Sequence, residues 1–321
     1  MNNEGLSNTD VCGIRITSGP QENLRSGLVI RIGSDIYQVL VDGRPILCTI
    51  RRRLIKETEN TINPVAPGDI VYLSILDGGG GVIEEIGKRR NSFGRKAAGG
   101  RPGEQVIAAN VDQIIIVYAA AEPTFRARGL DRYLAVAEYS GIPAVICLNK
   151  IDLASPEDAA NMTVPYEEIG YQVLHTCAKT GQGIDDLRSL LAGRISVVVG
   201  PSGVGKSSLL NAVEPELGLA TGEVGRITHR GRHTTTASRL IQLRAGGFVV
   251  DTAGMREFGF WEISAQDLAS CFREMRPYIG KCRFSNCAHL TEPGCAVRDA
   301  LASGFIRPAR YEHYVKLMEG R

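Results

Sequence analysis

A β-rich run, Ile195-Ser196-Val197-Val198-Val199, leads directly into Gly200-Pro201-Ser202-Gly203-Val204-Gly205-Lys206-Ser207-Ser208, and Leu209-Leu210-Asn211-Ala212-Val213 continues as a helical pattern. No other stretch limits the fold so tightly. Strand, glycine-rich turn and helix is the context in which G-x-x-x-x-G-K-S works as a phosphate loop. The glycines let successive backbone N–H groups curl inward around an anion. The helix N-terminus adds its partial positive charge. Lys206 is placed to reach the β- and γ-phosphates, and Ser207 to offer its hydroxyl to Mg²⁺.

At 321 residues the chain has room for about two or three domains with their own cores. Hydrophobic content of 43% against 22% charged residues marks a globular protein. No apolar run approaches the roughly 20 residues that span a bilayer, so no membrane partner is expected. Residues 1–10 lack the basic head and apolar core of a signal peptide and read as a disordered tail. A cytoplasmic protein is expected, and its eight cysteines are then unsuited to a disulfide framework. Net charge is only +2, so a nucleic-acid partner has to be argued from local clusters.

Strand and helix patterns alternate on both sides of the phosphate loop. Gln113–Tyr118 reads as a buried strand and Leu130–Tyr139 as an amphipathic helix closed by Gly141. Ala144–Leu148 is the next strand, followed by a helix, a strand around Val173-Leu174-His175 and a helix over Ile184–Leu191. Such alternation predicts a doubly wound, mostly parallel sheet covered on both faces, with ligands beyond the strand C-termini.

Two of those strand ends carry base-reading chemistry. The first is Asn149-Lys150-Ile151-Asp152. Guanine presents N1–H and N2–H₂ donors along one edge, and a carboxylate accepts both. Asp152 therefore selects guanine, because adenine would leave the carboxylate unpaired. Asn149 either bonds the N7/O6 side of the base or ties the loop together. The stem of Lys150 covers the base plane. The second end, Thr176-Cys177-Ala178-Lys179, resembles a loop that turns backbone N–H groups toward O6, with Cys177 where Ser is more usual.

Downstream of the phosphate loop, Arg226–Thr236 is polar and basic. Ala237–Leu243 and Phe248–Val250 form a hairpin through Gly246-Gly247, ending in Asp251-Thr252-Ala253-Gly254. Asp251 is placed to hold Mg²⁺ through water, and the Gly254 N–H to bond a γ-phosphate. One of Thr234, Thr235 and Thr236 supplies the switch hydroxyl to Mg²⁺, with Thr235 the chosen candidate. A Ras-like chain runs phosphate loop, switch Thr, D-x-x-G, N-K-x-D and then the S-A-K-like loop. Here the last two come first, so the domain is circularly permuted, which compact α/β domains with neighbouring termini tolerate.

Residues 11–87 are expected to form a small β-barrel such as an OB-fold, from Leu28–Ile32, Tyr37–Val41, Ile46–Ile50, Ile70–Leu76 and Val82–Ile86. Arg44, Arg51, Arg52, Arg53 and Lys56 suit either a charge-protected edge strand or an RNA-facing surface. Residues 88–104 carry Lys88, Arg89, Arg90, Arg95, Lys96 and Arg101 and read as a flexible basic linker along phosphates. The permuted nucleotide domain then takes 105–262.

The last segment, 263–321, contains Cys282-x₄-Cys287-x-His289-x₅-Cys295. Three thiolates and one imidazole suit a closed tetrahedral zinc site, structural because no position is left open. Helices are expected over Leu268–Met275 and Tyr311–Met318. Lys281, Arg283, Arg273 and Arg276 suit an RNA-facing side. Cys271 reads as core, and Cys12, Cys48 and Cys147 as strand residues.

The permuted motif order, the cysteine cluster, Ala108-Ala109-Asn110-Val111-Asp112-Gln113, Arg232-His233-Thr234-Thr235-Thr236 and Arg256-Glu257-Phe258-Gly259 together resemble the RsgA (YjeQ) family of circularly permuted GTPases. The resemblance covers nearly the whole chain; Ala253 departs from it, where Pro is frequent. It implies GTP hydrolysis coupled to late maturation of the small (30S) ribosomal subunit and to release from it. Expected partners are GTP/GDP and 16S rRNA, with one Zn²⁺ and Mg²⁺ as cofactors and a monomeric chain. Met255 occupies the place where Ras-like enzymes carry a water-orienting Gln, and Met has no hydrogen bond to give. His233 is the candidate replacement, as the resemblance also suggests; the alternative reading is a surface histidine facing phosphate or RNA. Two other classes compete. A metabolic P-loop kinase or ATPase is disfavoured by Asn149 to Asp152, and a stable RNA-binding factor with a merely structural nucleotide would show turnover indifferent to ribosomal subunits.

Overall fold

The structure is a computed structural model that describes residues 9–11, 14–16, 24–56, 63–96, 104–219, 238–251 and 263–320. A short antiparallel hairpin, β1 (Thr9–Val11) and β2 (Ile14–Ile16), comes first, and its strand begins inside the segment expected as a tail.

Five strands then close on themselves: β3 (Arg25–Ile32), β4 (Tyr37–Val41), β5 (Arg44–Ile50), β6 (Ile70–Ile75) and β7 (Gly81–Ile86). A five-residue helix, α1 (Arg52–Lys56), follows β5. The order runs β3-β4-β5-β7-β6 and back to β3, antiparallel except for β5 beside β7. That is the closed barrel of an OB-fold, which leaves no free edge. Alternating side chains fill its interior: Val29, Val39, Val41, Val71, Leu73 and Ile83 are buried together.

The stretch read as a flexible basic linker is partly ordered. β8 (Ser92–Lys96) pairs antiparallel with β9 (Glu104–Ala109). Two of its charges are paired with carboxylates. Arg89 binds the buried Asp69 through two nitrogens at 2.7 Å, and Arg90 meets Asp112 at 2.8 Å. The acids stand outside the stretch in sequence, so a local count of charges misses them.

The nucleotide domain is built on β10 (Gln113–Ala119), β11 (Ala144–Asn149), β12 (Gln172–His175), β13 (Ile195–Val199), β14 (Arg239–Gln242) and β15 (Phe248–Asp251). They lie in the order β12-β11-β10-β13-β15-β14, parallel except for β14. Helices α2 (Ala127–Tyr139) and α3 (Pro156–Glu167) cover one face; α4 (Ile184–Leu191) and α5 (Lys206–Val213) cover the other. Successive residues of β10 separate accordingly. Ile114, Ile116 and Tyr118 join Leu130 and Leu134 of α2, while Ile115 and Val117 join Leu187 of α4 and Leu209 of α5. Each such fully buried aliphatic side chain contributes about 1.5–3 kcal/mol.

β14 also pairs with β3 at Arg239 and Arg31, so the sheet runs on into the barrel. The C-terminal segment has its own core around Phe272, Met275, Val297, Ile306 and Tyr314. Where one helix was expected over Leu268–Met275, α6 (Ala265–Leu268) gives way to 3₁₀ turns at Ala269–Cys271 and Arg273–Tyr278. Phe272 between the two turns is extended (φ −102°, ψ 106°), which ends the α-helical run. α7 (Ala296–Ala302) and α8 (Pro308–Met318) complete the chain.

Candidate nucleotide site and metal centre

The C-terminal ends of β10, β11, β12, β13 and β15 converge on one edge of the sheet. β13 delivers the phosphate loop between β10 and β15. Gly200, Gly203 and Gly205 have φ of +139°, +81° and +92°, conformations that side chains resist. At Gly200 a Cβ would come within 2.1 Å of the Val117 carbonyl oxygen, so only glycine lets the loop leave the strand there. Lys206 opens α5 and donates to the carbonyls of Gly200 and Pro201 at 2.8 and 2.7 Å. Its amine thus lies folded over the loop, and burial lowers its pKa. Pro201, Ser207 and Ser208 are half-buried, Ser202 is exposed and Val204 is buried beneath the turn.

Asn149 ends β11 with its side chain buried. Its Nδ2 donates to the Val204 carbonyl at 2.8 Å, and its Oδ1 accepts from the Ala178 N–H and the Thr176 hydroxyl, each at 3.4 Å. Of the two roles left open for Asn149, the geometry favours the tie: one amide joins the phosphate loop to both base-reading loops. Lys150 turns through a left-handed φ of +58°, which carries Asp152 outward, and its ammonium bonds the Glu122 carbonyl. Asp152 is exposed at this rim, next to half-buried Ile151. The buried Cys177 thiol donates to Asp152 Oδ1 at 3.1 Å, the place of a hydroxyl donor, and Lys179 stands exposed beyond it. The chemistry available is an acceptor-only carboxylate oriented beside a cradle of backbone N–H groups.

Asp251 closes β15 next to the phosphate-loop strand, and Arg239, its cross-strand neighbour, donates Nε to its Oδ2 at 2.8 Å. Sequence reasoning missed this pair. The signal was available, because the Gly246-Gly247 turn fixes the register that sets the two residues opposite each other. His233, Thr234, Thr235, Thr236, Gly254 and Met255 lie outside the described residues.

Cys282, Cys287, His289 and Cys295 come together with their ligand atoms all within 4.8 Å of one another. The His289 Nδ1 lies 3.5 Å from the Cys282 sulfur and 3.4 Å from that of Cys295, and the two sulfurs are 3.9 Å apart. A tetrahedral ion with zinc's bond lengths spaces such atoms about 3.5–3.8 Å apart. A disulfide would need about 2.05 Å. The donor set and spacing therefore fit a closed zinc site. The loop around His289 is held from two sides. Glu292 accepts the N–H groups of Ala288, Leu290 and Thr291 at 2.7, 2.8 and 3.0 Å. Tyr311 and Tyr314 of α8 donate to the carbonyls of His289 and Ala288 at 2.6 and 2.7 Å. Backbone N–H groups, its own first, hold the Glu292 carboxyl down at about 2.

The basic clusters divide on inspection. Arg51 forks onto Glu84 at 2.8 and 2.9 Å and Arg53 bonds the Glu84 carbonyl, while Arg44 and Arg52 are exposed. In the C-terminal segment Lys281 and Arg283 are exposed, while Arg273 and Arg276, expected to face RNA, are paired with a carboxylate of another element, Arg276 staying exposed. They bind Glu138 of α2 at 2.6 and 2.5 Å. Beside them, Arg310 and His313 of α8 and Tyr166 of α3 converge on the buried Asp131 of α2, and Arg310 also meets Glu274 at 2.6 Å. These pairs fasten the C-terminal segment to the nucleotide domain.

Residues 86–261 match the family model described as RsgA GTPase. The small ribosomal subunit biogenesis GTPase RsgA of Gemmatimonas aurantiaca is 42% identical over 297 residues, which cover 92% of this chain and 96% of that protein. That of Moorella thermoacetica is 43% identical over 292 residues, 91% and 96% of the two chains. Among solved structures, YjeQ from Thermotoga maritima superposes with a TM-score of 0.75 at 33% identity, covering 93% of this chain and 99% of that one. YloQ, a circularly permuted GTPase, superposes at 0.72 with 31% identity over 95% and 97%.

Proposed function

Because the chain belongs to the RsgA GTPase family, we propose that it hydrolyses GTP on the small (30S) ribosomal subunit, where it binds 16S rRNA and uses hydrolysis to time late maturation and its own release. The observation that carries this reading is the Asn149 amide. It ties the loop that carries the Asp152 carboxylate to a phosphate loop that follows it in the chain, the pairing that a guanine nucleotide would need.

In this reading Gly200 to Ser208 wrap the β- and γ-phosphates and Lys206 swings from its two carbonyls onto them. Asn149 to Asp152 and Cys177 to Lys179 receive the base. Ser207, Thr235 and Asp251 hold Mg²⁺, which neutralises charge on the phosphates, and Gly254 bonds the γ-phosphate. His233 orients the attacking water. Zn²⁺ on Cys282, Cys287, His289 and Cys295 staples the C-terminal domain. The functional units are the barrel (11–87), the basic segment (88–104), the nucleotide domain (105–262) and the zinc domain (263–321). Among the described residues, the barrel's exposed Arg44 and Arg52, Lys88 of the basic segment and the zinc domain's Lys281 and Arg283 are cations that suit rRNA. The protein acts in the cytoplasm as a monomer; no described helix is long and apolar enough to cross a membrane.

GTP turnover by the purified protein, measured alone and with small or large subunits, tests the proposal. Stimulation by the small subunit and not by the large one is expected. Equal turnover under all three conditions would remove the ribosomal trigger.

A further inference from the structure

Three residues stand in one row where the nucleotide domain meets the barrel. Arg31 of β3 is opposite Arg239 of β14, and Arg239 is opposite Asp251 of β15, both pairs antiparallel. Directly opposed residues point to the same face of a sheet. Two guanidinium groups side by side repel, and the Asp251 carboxylate, bonded to Arg239 at 2.8 Å, is the counter-ion of Arg239.

We infer that Arg239 sets the magnesium requirement of the nucleotide site by holding the Asp251 carboxylate as its counter-ion until the cation takes it. The inference rests on the reading of Asp251 as a magnesium residue. Arg239 acts on the site in two ways. It occupies Oδ2, one of the two oxygens that a metal-bound water would use. It also places a positive charge beside an incoming divalent cation. The side chains of Arg239 and Asp251 are 49% and 24% exposed, so water weakens the pair and a divalent ion can replace it. The consequence is a threshold. Mg²⁺ engages Asp251 only at a concentration high enough to displace the guanidinium. Displacement also leaves Arg239 next to Arg31 without its carboxylate, so magnesium binding alters the charge of the seam between the two domains.

The test is a binding measurement on the full chain. A fluorescent mant-GDP complex is titrated with Mg²⁺, and the midpoint of the magnesium-dependent slowing of nucleotide release is read for wild type, Arg239→Gln, Arg239→Lys and Asp251→Asn. Thermal melting checks that each variant is folded, and Arg239→Met replaces the Gln variant if that one is not. Removing one positive charge a few ångströms from a divalent ion through water lowers the midpoint by roughly three- to tenfold. Arg239→Gln is expected to show that drop, Arg239→Lys to stay near wild type, and Asp251→Asn to raise the midpoint. An unchanged or raised midpoint in Arg239→Gln, or a Lys variant that behaves like Gln, overturns the inference while Asp251 keeps its role. An unchanged midpoint in Asp251→Asn removes the magnesium reading of Asp251, and this inference with it.

Discussion

Asn149 stands where the side chain of residue 205 would otherwise be. A Cβ on Gly205 would lie 2.4 Å from the Asn149 amide nitrogen, which reaches past it to the Val204 carbonyl. The absence of a side chain at 205 and the presence of an amide at 149 are therefore one design. Gly205→Ala forces the amide out and strains a φ of +92° as well. Asn149→Ala leaves the buried Val204 carbonyl without its partner, which costs about 1–3 kcal/mol. Both variants are expected to weaken GTP and GDP alike, by roughly 10- to 100-fold. Equilibrium binding of labelled GTP and GDP measures this. A loss confined to one nucleotide would show that the tie does not act on the common part of the site.

In the proposed function Asp152 reads the base and not the phosphates. Its exposed carboxylate is oriented by the Cys177 thiol, which donates to Oδ1 at 3.1 Å. In Asp152→Asn the side-chain oxygen still accepts from N1–H, but the amide N–H₂ faces guanine's N2–H₂. Xanthine carries an oxygen at that position and suits the amide. The variant should lose roughly 100-fold in GTP affinity and gain XTP binding. Competition of GTP and XTP against a labelled nucleotide reads the exchange directly. An Asn variant that still prefers GTP would place guanine recognition elsewhere.

These two residues also show what a sequence carries. Apolar runs placed the barrel strands to within three residues and the buried strands β10, β11 and β13 to within one, because burial on one face or two leaves a direct trace in composition. The motifs singled out Asn149, Lys206 and the cluster of Cys282, Cys287, His289 and Cys295 for the same reason: the chemistry proposed for them needs those residue types. Partnerships across the fold left no such trace. Arg89 and Arg90 read as linker charge because Asp69 and Asp112 lie about twenty positions away. Arg273 and Arg276 read as RNA-facing because Glu138 is on another domain, 135 and 138 positions earlier. Ion pairs are set by topology, and a count of charges in a window carries no information about it.

Glu138 gives that interface a pH dependence. Burial raises its pKa, but the bonds from Arg276 and Arg273 outweigh burial and the net shift is downward from 4.5. A carboxyl whose folded pKa is depressed stabilises fully above its unfolded value and loses that contribution as pH falls through the folded one. Docking of the C-terminal domain on α2 should therefore be constant at neutral pH and weaken below about pH 4.5. Glu138→Gln should abolish that part of the acid dependence. Hydrogen exchange of α2 and of 269–279 between pH 6 and about pH 4 locates the effect, and equal acid sensitivity in the Gln variant would assign it to other groups.

Asp131 anchors the same interface from inside. Its carboxylate is buried and bonded by Arg310, His313 and Tyr166. Arg310 is buried in turn and shared with Glu274. Arg310→Ala leaves two carboxylates in a low-dielectric site without their cation, and breaking a buried pair in this way costs about 3–5 kcal/mol. Denaturant unfolding should show that loss. A cost below about 1 kcal/mol, the worth of a surface pair, would mean that water reaches the network.

The cluster of Cys282, Cys287, His289 and Cys295 that would hold zinc is positioned by a residue outside it. Glu292 gathers three N–H groups from the loop that carries His289, a residue held at a left-handed φ of +59°. Left-handed backbone is unfavourable for a non-glycine residue unless its surroundings impose it. Glu292 imposes it from one side, and the Tyr311 and Tyr314 hydroxyls do so from the other. Removing the carboxylate lets the loop relax and takes the imidazole away from the sulfurs, so zinc must rebuild the site as it binds. Glu292→Ala should weaken zinc by roughly 10- to 100-fold, the usual effect of losing a residue that orients a ligand. Glu292→Gln, which keeps an acceptor but not the charge, should lose less. Competition with a chromophoric chelator gives both affinities without any assay of turnover. If the Ala variant holds zinc as tightly as wild type, the three thiolates and the tyrosines suffice, and the acid serves the fold alone.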